Sequence, residues 1–304
     1  MSDGNRAAMS ALAHAMLGAP IEPDTPWEAK SILSLRQETL DAYRPASQWA
    51  AAHYDVSYHD IMVAGVSCME VTPASGVTGN RQILYIFGGG FMLGSPFEDL
   101  PITAALAAKT GARVIVPYYR LAPEHPYPAA LDDVFQVAQA MLADAPHTVL
   151  SGESAGGNLA LALVHRLRRL RMTTPPAIAV LSPATSFDGD GHSQAMDHDP
   201  FLRAARLAEV HAAYVGDSDP LHPEISPLYG VFDRDFPPLL MTTGTRDLLM
   251  SDCIRLARVM RESGAAVDLR VWDGMWHVFE FYPELPEAQA SLNEIANFIQ
   301  PYLE

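Results

Sequence analysis

The chain has 304 residues, 49% of them hydrophobic, and a formal net charge of −16. This length and composition suffice for one large core, whereas the acidic surface and the lack of a groove-like basic tract argue against nucleic acid and anionic membranes as partners. Two widely spaced cysteines, no apolar run of about 18 residues and no basic-then-apolar leader predict a cytoplasmic protein without disulfides, structural zinc or stable membrane insertion.

The predicted elements change from helices to alternating strands and helices along the chain. Residues 1 to about 45 are predicted to form two helices, the second capped by Thr25 and beginning at Pro26. Strands are predicted at His53–Tyr58, Met62–Val71, Gln82–Phe87, Arg113–Pro117, Thr148–Ser151, Ile178–Leu181, Leu239–Thr243 and Val267–Trp272. Later helices are predicted at Pro101–Lys109, Ala129–Leu142, Asn158–Leu170, Ser251–Glu262 and Glu284–Leu303.

Short apolar strands that alternate with helices predict an α/β fold, with a mostly parallel, eight-stranded sheet and helices on both faces. The connection between Leu181 and Leu239 is much longer than one crossover needs. We expect it to be an insertion over the carboxyl edge of the sheet, with a helix running from Asp199-Pro200 to about Val215. The predicted organisation is N-terminal cap helices over 1–45, a core over 46–184 and 231–304, and a cap insertion over 185–230.

One pentapeptide, G-E-S-A-G at 152–156, lies between a β-rich run and a helix-forming run. This arrangement is typical of a nucleophile elbow, in which a strained turn exposes a serine and leaves no room for a Cβ on either side. A serine hydroxyl becomes a nucleophile when a base takes its proton and a third group orients that base. The sequence therefore predicts Ser154 as a nucleophile.

The partners of this serine are sought after later strands, because the order in the chain is serine, acid, histidine. Asp247 and His277 each follow a predicted strand, at the edge where ligands bind in open α/β sheets. Alternatives for the acid are Asp252, in the first turn of a helix, and Asp273, in a tight turn. Alternatives for the base are histidines on the predicted cap, a poorer scaffold: His192, His198, His211 and His222.

Three consecutive glycines, at 88–90, end the predicted strand Gln82–Phe87. They let backbone N–H groups turn toward a tetrahedral oxyanion, with the N–H of Ala155 as a further donor. A glycine-rich turn without such a role is the alternative. Because the segment lacks G-x-G-x-x-G and a Lys-Ser/Thr pair, dinucleotide and phosphate sites are disfavoured, and neither a cofactor nor a metal is predicted.

These motifs, with Y-R-L-A-P-E at 119–124 between them, resemble the hormone-sensitive lipase branch of the α/β-hydrolases from about residue 40 onward. The resemblance implies an α/β-hydrolase fold with a two-part helical cap. It also implies a serine carboxylesterase that hydrolyses short- to medium-chain acyl esters through an acyl-enzyme. The residues that it implies are nucleophile Ser154, orienting acid Asp247, base His277, and oxyanion donors Gly88, Gly89 and Ala155.

The chain departs from the family pattern at two positions. Phe87 stands where the family has a histidine before the glycines, and Tyr118 stands where an aspartate usually precedes Tyr-Arg. Because Phe87 ends one predicted strand and Tyr118 directly follows another, we expect the two rings to contact each other at one sheet edge and to hold the glycine loop by packing. Activity is expected to survive, since backbone amides stabilise the oxyanion.

The same three groups would also cleave lactones, amides or carbamates. A non-catalytic ligand receptor on this fold is disfavoured, because such proteins commonly lose the acid or the base. The expected partner is a small-molecule ester. A homodimer through Val267–Trp272 is a further hypothesis, since this strand would otherwise leave an unpaired edge.

Overall fold

The computed structural model describes residues 9–18, 31–196 and 198–304, which fold around one sheet. Its strands are β1 (Val56–Val63), β2 (Val66–Pro73), β3 (Gln82–Ile86), β4 (Arg113–Pro117), β5 (Val149–Glu153), β6 (Ile178–Leu181), β7 (Leu239–Gly244) and β8 (Val267–Trp272). They lie in the order β1-β2-β4-β3-β5-β6-β7-β8. Only β2 runs antiparallel to its neighbours. The predicted eight-stranded, mostly parallel sheet is confirmed.

Helices cover both faces of this sheet. They are α1 (Ala11–Leu17), α2 (Ile32–His53), α3 (Leu100–Thr110), α4 (Ala129–Asp144), α5 (Ser154–Arg169), α6 (Ala204–Val210), α7 (Met250–Glu262) and α8 (Pro286–Ile299). Helices α3 and α8 contact each other on one face, and α4 contacts α5 on the other. Every residue of β3, β5, β6 and β7 is buried, as parallel strands between two helical layers require.

The two strand predictions nearest the N-terminus have wrong bounds. Helix α2 continues to His53 instead of ending near residue 45, and β1 and β2 form a hairpin turned at Ala64-Gly65. Both turn residues have positive φ, 49° and 84°, as a two-residue hairpin turn requires. The predicted helix start at Thr25-Pro26 lies outside the described residues.

We call residues 185–230 the cap segment. Its helix α6 begins at Ala204, later than the predicted start at Asp199, because the Asp199 carboxylate accepts the N–H groups of Phe201 and Leu202 in a separate turn, at 2.9 Å each. Residues 211–215 then continue α6 as one π-helical turn. The division of the chain into core and cap domains stays a prediction.

Asn158, in the first turns of α5, ties the cap segment to the core. Its amide nitrogen donates to the carbonyls of Ala184 and Ile225, at 2.7 Å each. These carbonyls lie close to the two ends of the cap segment. A single buried side chain beneath the elbow therefore holds both the exit and the return of this connection.

The two N-terminal helices pack on different parts of the molecule. Helix α1 packs against Met275, Trp276 and Leu285, whereas α2 brings Thr39 and Tyr43 to the wall of the main cavity. None of the helices formed by residues 9–18, 31–196 and 198–304 is long and apolar enough to cross a membrane.

Candidate active site

Ser154 lies at the junction of β5 and α5, in a left-handed conformation with a φ of 51°. Such a conformation is uncommon for a residue other than glycine and marks a strained turn. A Cβ on Gly156 would lie 1.9 Å from the carbonyl oxygen of Ile86, and one on Gly152 would lie 2.7 Å from the same atom. Neither position has room for a side chain, which confirms the reason given for these two glycines.

The structure brings the three predicted side chains into one hydrogen-bonded chain. His277 Nε2 lies 2.9 Å from Ser154 Oγ, and His277 Nδ1 lies 3.0 Å from Asp247 Oδ1. Because the carboxylate can only accept, Nδ1–H donates to Asp247, and Nε2 is left to accept the serine proton. The 154–277–247 arrangement is thus a nucleophile, a base and an orienting acid within hydrogen-bonding distance.

The acid is fixed by more than the imidazole. Asp247 Oδ1 also accepts the N–H of Leu249 at 2.9 Å, and Oδ2 accepts the Thr243 hydroxyl at 2.8 Å. Burial raises the pKa of Asp247, but the charge and hydrogen bond of His277 outweigh it and leave the pKa below its usual value. The two alternatives lie elsewhere: Asp252 pairs with Arg255, and Asp273 accepts from Thr245.

His277 has an electrostatic environment that favours its charged form. Burial lowers the pKa of the imidazole, but Asp247, Asp199 and Glu153 together raise it to about 9. An imidazolium formed when the serine gives up its proton is therefore well stabilised. Two of the cap histidines pack against aromatic rings: His211 against Phe187 and His222 against Tyr127.

The glycine loop differs from the prediction at its first residue. The N–H of Gly88 donates to the buried carboxylate of Glu153, so the predicted role of Gly88 as an oxyanion donor is wrong. A Cβ at Gly88 would lie 2.2 Å from that carboxylate. The next two glycines, Gly89 and Gly90, have φ values of 93° and 63° and line the cavity beside Ala155.

The aromatic contact of Phe87 is real, but its predicted partner is wrong. Phe87 stacks on Tyr119, with ring centroids 4.2 Å apart and ring planes 17° apart. Tyr118 instead donates its hydroxyl to Asp60 at 3.0 Å. Successive side chains of extended backbone point to opposite faces, so a shift of one residue exchanges the two rings. Tyr119 also donates its hydroxyl to the carbonyl of Phe87 at 2.8 Å, which fixes the strand end.

The Y-R-L-A-P-E segment and α2 support the glycine loop from outside. Ala122 N–H donates to the carbonyl of Phe91 at 2.8 Å. Arg36 of α2 donates to the carbonyls of Met92 and Ala122 and pairs with Glu124 at 2.8 Å. The charged side chain of Arg36 therefore joins helix α2 to the glycine loop that faces Ser154.

Ser154 opens into a cavity of about 680 Å³. The cap segment supplies much of its apolar wall, including Phe187, Leu207 and Val210, and the core supplies Phe91 and Val278. A cavity of this size with a few polar groups at one point is typical of a small-molecule site.

Sequence reasoning missed three residues that shape this site. Glu153 holds the glycine loop, Asn158 holds both ends of the cap segment, and Asp199 accepts the backbone N–H of His277 at 2.8 Å. Glu153 and Asn158 belong to the motif around Ser154, which was the signal that could have identified them. Nothing in the local sequence links Asp199 to His277.

The elbow after β5, the acid after β7 and the imidazole after β8 define a serine hydrolase of the α/β type. The sequence profile of the alpha/beta hydrolase fold matches residues 83–281. An esterase of Acinetobacter venetianus is 33% identical over 250 residues, which cover 80% of this chain and 82% of that protein. An acetyl-hydrolase of Streptomyces hygroscopicus is 31% identical over 261 residues, 84% of this chain and 86% of that protein.

Among solved structures, an esterase from the bacterial hormone-sensitive lipase family has a TM-score of 0.82 at 29% identity. The match covers 98% of this chain and 100% of that one. The chain therefore belongs to the alpha/beta hydrolase family, in its hormone-sensitive lipase branch.

Proposed function

We propose that the protein is a serine carboxylesterase that hydrolyses short- to medium-chain acyl esters. The observation that carries the proposal is the 2.9 Å contact between His277 Nε2 and Ser154 Oγ at the wall of an apolar cavity. The named activities of the two relatives, esterase and acetyl-hydrolase, support the same chemistry.

In the proposed mechanism, Ser154 is the nucleophile, His277 the base and Asp247 the orienting acid. His277 takes the proton of the serine hydroxyl while Oγ bonds to the ester carbonyl carbon, giving a tetrahedral oxyanion and an imidazolium. His277 then returns that proton to the departing alcohol as the carbon–oxygen bond breaks. Water attacks the acyl-enzyme with the same base, and the acid product leaves.

The oxyanion is assigned to the N–H groups of Gly89, Gly90 and Ala155. Gly88 is replaced in this role because its N–H is already bonded to Glu153. Ala155 lies in the first turn of α5, where backbone N–H groups have no helical partner and favour negative charge. Loss of one such donor typically costs about 3 kcal/mol of transition-state stabilisation.

A panel of substrates tests this proposal. Wild-type protein should hydrolyse p-nitrophenyl esters with a clear optimum among short and medium acyl chains, and should act less well on a lactone and an anilide. A flat response across acyl lengths, or faster turnover of the lactone or the anilide, would contradict the proposed substrate class.

Two variants test the assigned roles. Ser154→Ala should abolish turnover, and Asp247→Asn should lower it by about four orders of magnitude, because asparagine would hold the wrong imidazole tautomer. Full activity of the Ser154→Ala variant would overturn the mechanism.

A homodimer through β8, which lies at a sheet edge, and a cytoplasmic location stay predictions.

A further inference from the structure

The backbone of His277 is bound by a carboxylate of the cap segment. Asp199 Oδ2 accepts the N–H of His277 at 2.8 Å, while Oδ1 accepts the N–H groups of Phe201 and Leu202 at 2.9 Å each. The Asp199 side chain is fully buried. One carboxylate therefore joins two loops: the loop that carries the imidazole and the loop that contributes Phe201 and Leu202 to the cavity wall.

Aromatic packing strengthens the same connection. The ring of Phe201 contacts Trp276, with centroids 5.4 Å apart, and Tyr282, with centroids 5.1 Å apart. Trp276 immediately precedes His277. The cap segment therefore contacts the imidazole loop at two points, the backbone N–H of His277 and the side chain of Trp276. An apolar contact alone would allow sliding, whereas the bond from Asp199 fixes the loop at one atom.

Asp199 also adds negative charge beside the imidazole. The ionisable groups that act on His277 are Asp247, Asp199 and Glu153, and all three raise its pKa. Burial raises the pKa of Asp199 above its usual value. The charge of His277 and the two N–H bonds from the cap turn act in the opposite direction and offset only part of this effect. Asp247 acts on Asp199 in the raising direction. A cap carboxylate thus has both a positional and an electrostatic effect on the base.

We propose that Asp199 is a positioning residue through which the cap segment places the backbone of His277 and a carboxylate beside its imidazole. The proposal rests on the function proposed above, in which His277 is the base. Substrates that fill the cavity against Phe201 and Leu202 favour the arrangement in which Asp199 holds the imidazole loop. Withdrawal of the cap turn removes an acceptor and a charge from the base at once.

The test compares isosteric variants of two carboxylates in the cap segment. Asp199→Asn keeps one acceptor oxygen for the cap turn but replaces the oxygen facing His277 and removes the charge. Asp188→Asn is the matched control, because Asp188 is a partly buried carboxylate of the cap segment that pairs with Arg255 and Tyr229. For each variant, kcat and KM for p-nitrophenyl butyrate are measured across pH, together with the Tm.

We expect Asp199→Asn to lower kcat by about tenfold to a hundredfold and to move the inflection of kcat/KM to lower pH, because the imidazole loses a stabilising charge. Asp188→Asn should change the Tm without moving the inflection. An Asp199→Asn variant with wild-type kcat, or one whose inflection is unmoved, would overturn the proposal, since a merely structural residue would leave the inflection in place.

Two additions keep the result decisive. If Asp199→Asn does not fold, Asp199→Glu keeps the charge on a longer side chain; we expect a lower kcat with an inflection close to that of wild type, and wild-type kcat would overturn the proposal. Labelling of wild-type Ser154 by a fluorophosphonate separates the two hypotheses. Failure to label would reject the proposed function itself, whereas normal labelling with an unmoved inflection in Asp199→Asn rejects only the role of Asp199.

Discussion

Replacing Glu153 by glutamine is expected to stabilise the protein above neutral pH. Burial raises the pKa of Glu153 from 4.5 to about 7, although the charge of His277 and the N–H of Gly88 act in the opposite direction. The folded protein therefore keeps a proton that the unfolded chain has already lost, and the free energy of unfolding falls as the pH rises from 4.5 to about 7. At about 1.4 kcal/mol per pKa unit, the ionised carboxylate destabilises the fold by about 3 kcal/mol.

Urea unfolding of wild type and Glu153→Gln at two pH values measures this effect. Glutamine keeps an acceptor oxygen for the N–H of Gly88 but cannot ionise. At about pH 5 most of the penalty is absent and at about pH 8 it is fully present, so the stability gained by the variant should be about 2 kcal/mol larger at the higher pH. A change in stability that is the same at both pH values would refute the reasoning.

Glu224→Gln is the matched control with the opposite sign. Burial raises the pKa of Glu224, but its bonds and charge pairing with Arg166 and Arg169 outweigh it and lower the pKa. The stabilisation from such a group is present above its usual pKa and is lost as the pH falls through the folded value. This variant should therefore be less stable than wild type at both pH values, because the mostly buried guanidinium of Arg166 loses one of its two carboxylate partners and Arg169 loses its ion pair.

Activity should rise steeply with pH, because the neutral imidazole is the base and carboxylates raise the pKa of His277 to about 9 despite burial. We expect kcat/KM to increase about tenfold per pH unit between pH 6 and 8 and to level off near 9; a flat profile with p-nitrophenyl butyrate would contradict this. Gly156→Ala should cost about 3 kcal/mol or more, since its Cβ would lie 1.9 Å from the Ile86 carbonyl oxygen; an unchanged Tm would argue against the elbow geometry. Phe87→Ala removes the ring stacked on Tyr119 and should lower kcat about tenfold while changing KM little; steady-state kinetics with wild-type kcat would show that packing does not hold the loop.

The sequence predicted the sheet well because its central strands are short apolar runs with no competing pattern. All bounds of β4, β6 and β8 agree with the predicted ranges. The errors lie at the N-terminal edge, where Ala64-Gly65 turns the hairpin with positive φ at both residues. Alanine is not a typical residue for that conformation, so the turn carried no clear signal.

The candidate site was predictable where its residues belong to local motifs, and not where they meet across long distances in the chain. Ser154 follows β5 and begins α5, so the local sequence is sufficient to identify it as the nucleophile. The prediction of Gly88 as an oxyanion donor is wrong because the Glu153 side chain points to the N–H of Gly88. No rule of residue spacing gives the direction of that side chain. The sequence predicts that Asp199 begins a helix, which is a common use of aspartate, whereas in the structure its second oxygen accepts the N–H of His277.

The imidazole loop, like the turn at Ser154, contains a non-glycine residue with positive φ. Val278, directly after His277, is β-branched and has a φ of 47°, an outlier for such a residue. Its N–H donates to the Ser182 hydroxyl at 3.1 Å, and the N–H of His277 donates to Asp199. Strained residues persist only where their surroundings hold them. Here the core after β6 and the cap segment hold two successive amides, whereas the carbonyl of Ser154 accepts the N–H of Ala184 at 3.1 Å. The cap segment thus binds the backbone of the base directly, through Asp199.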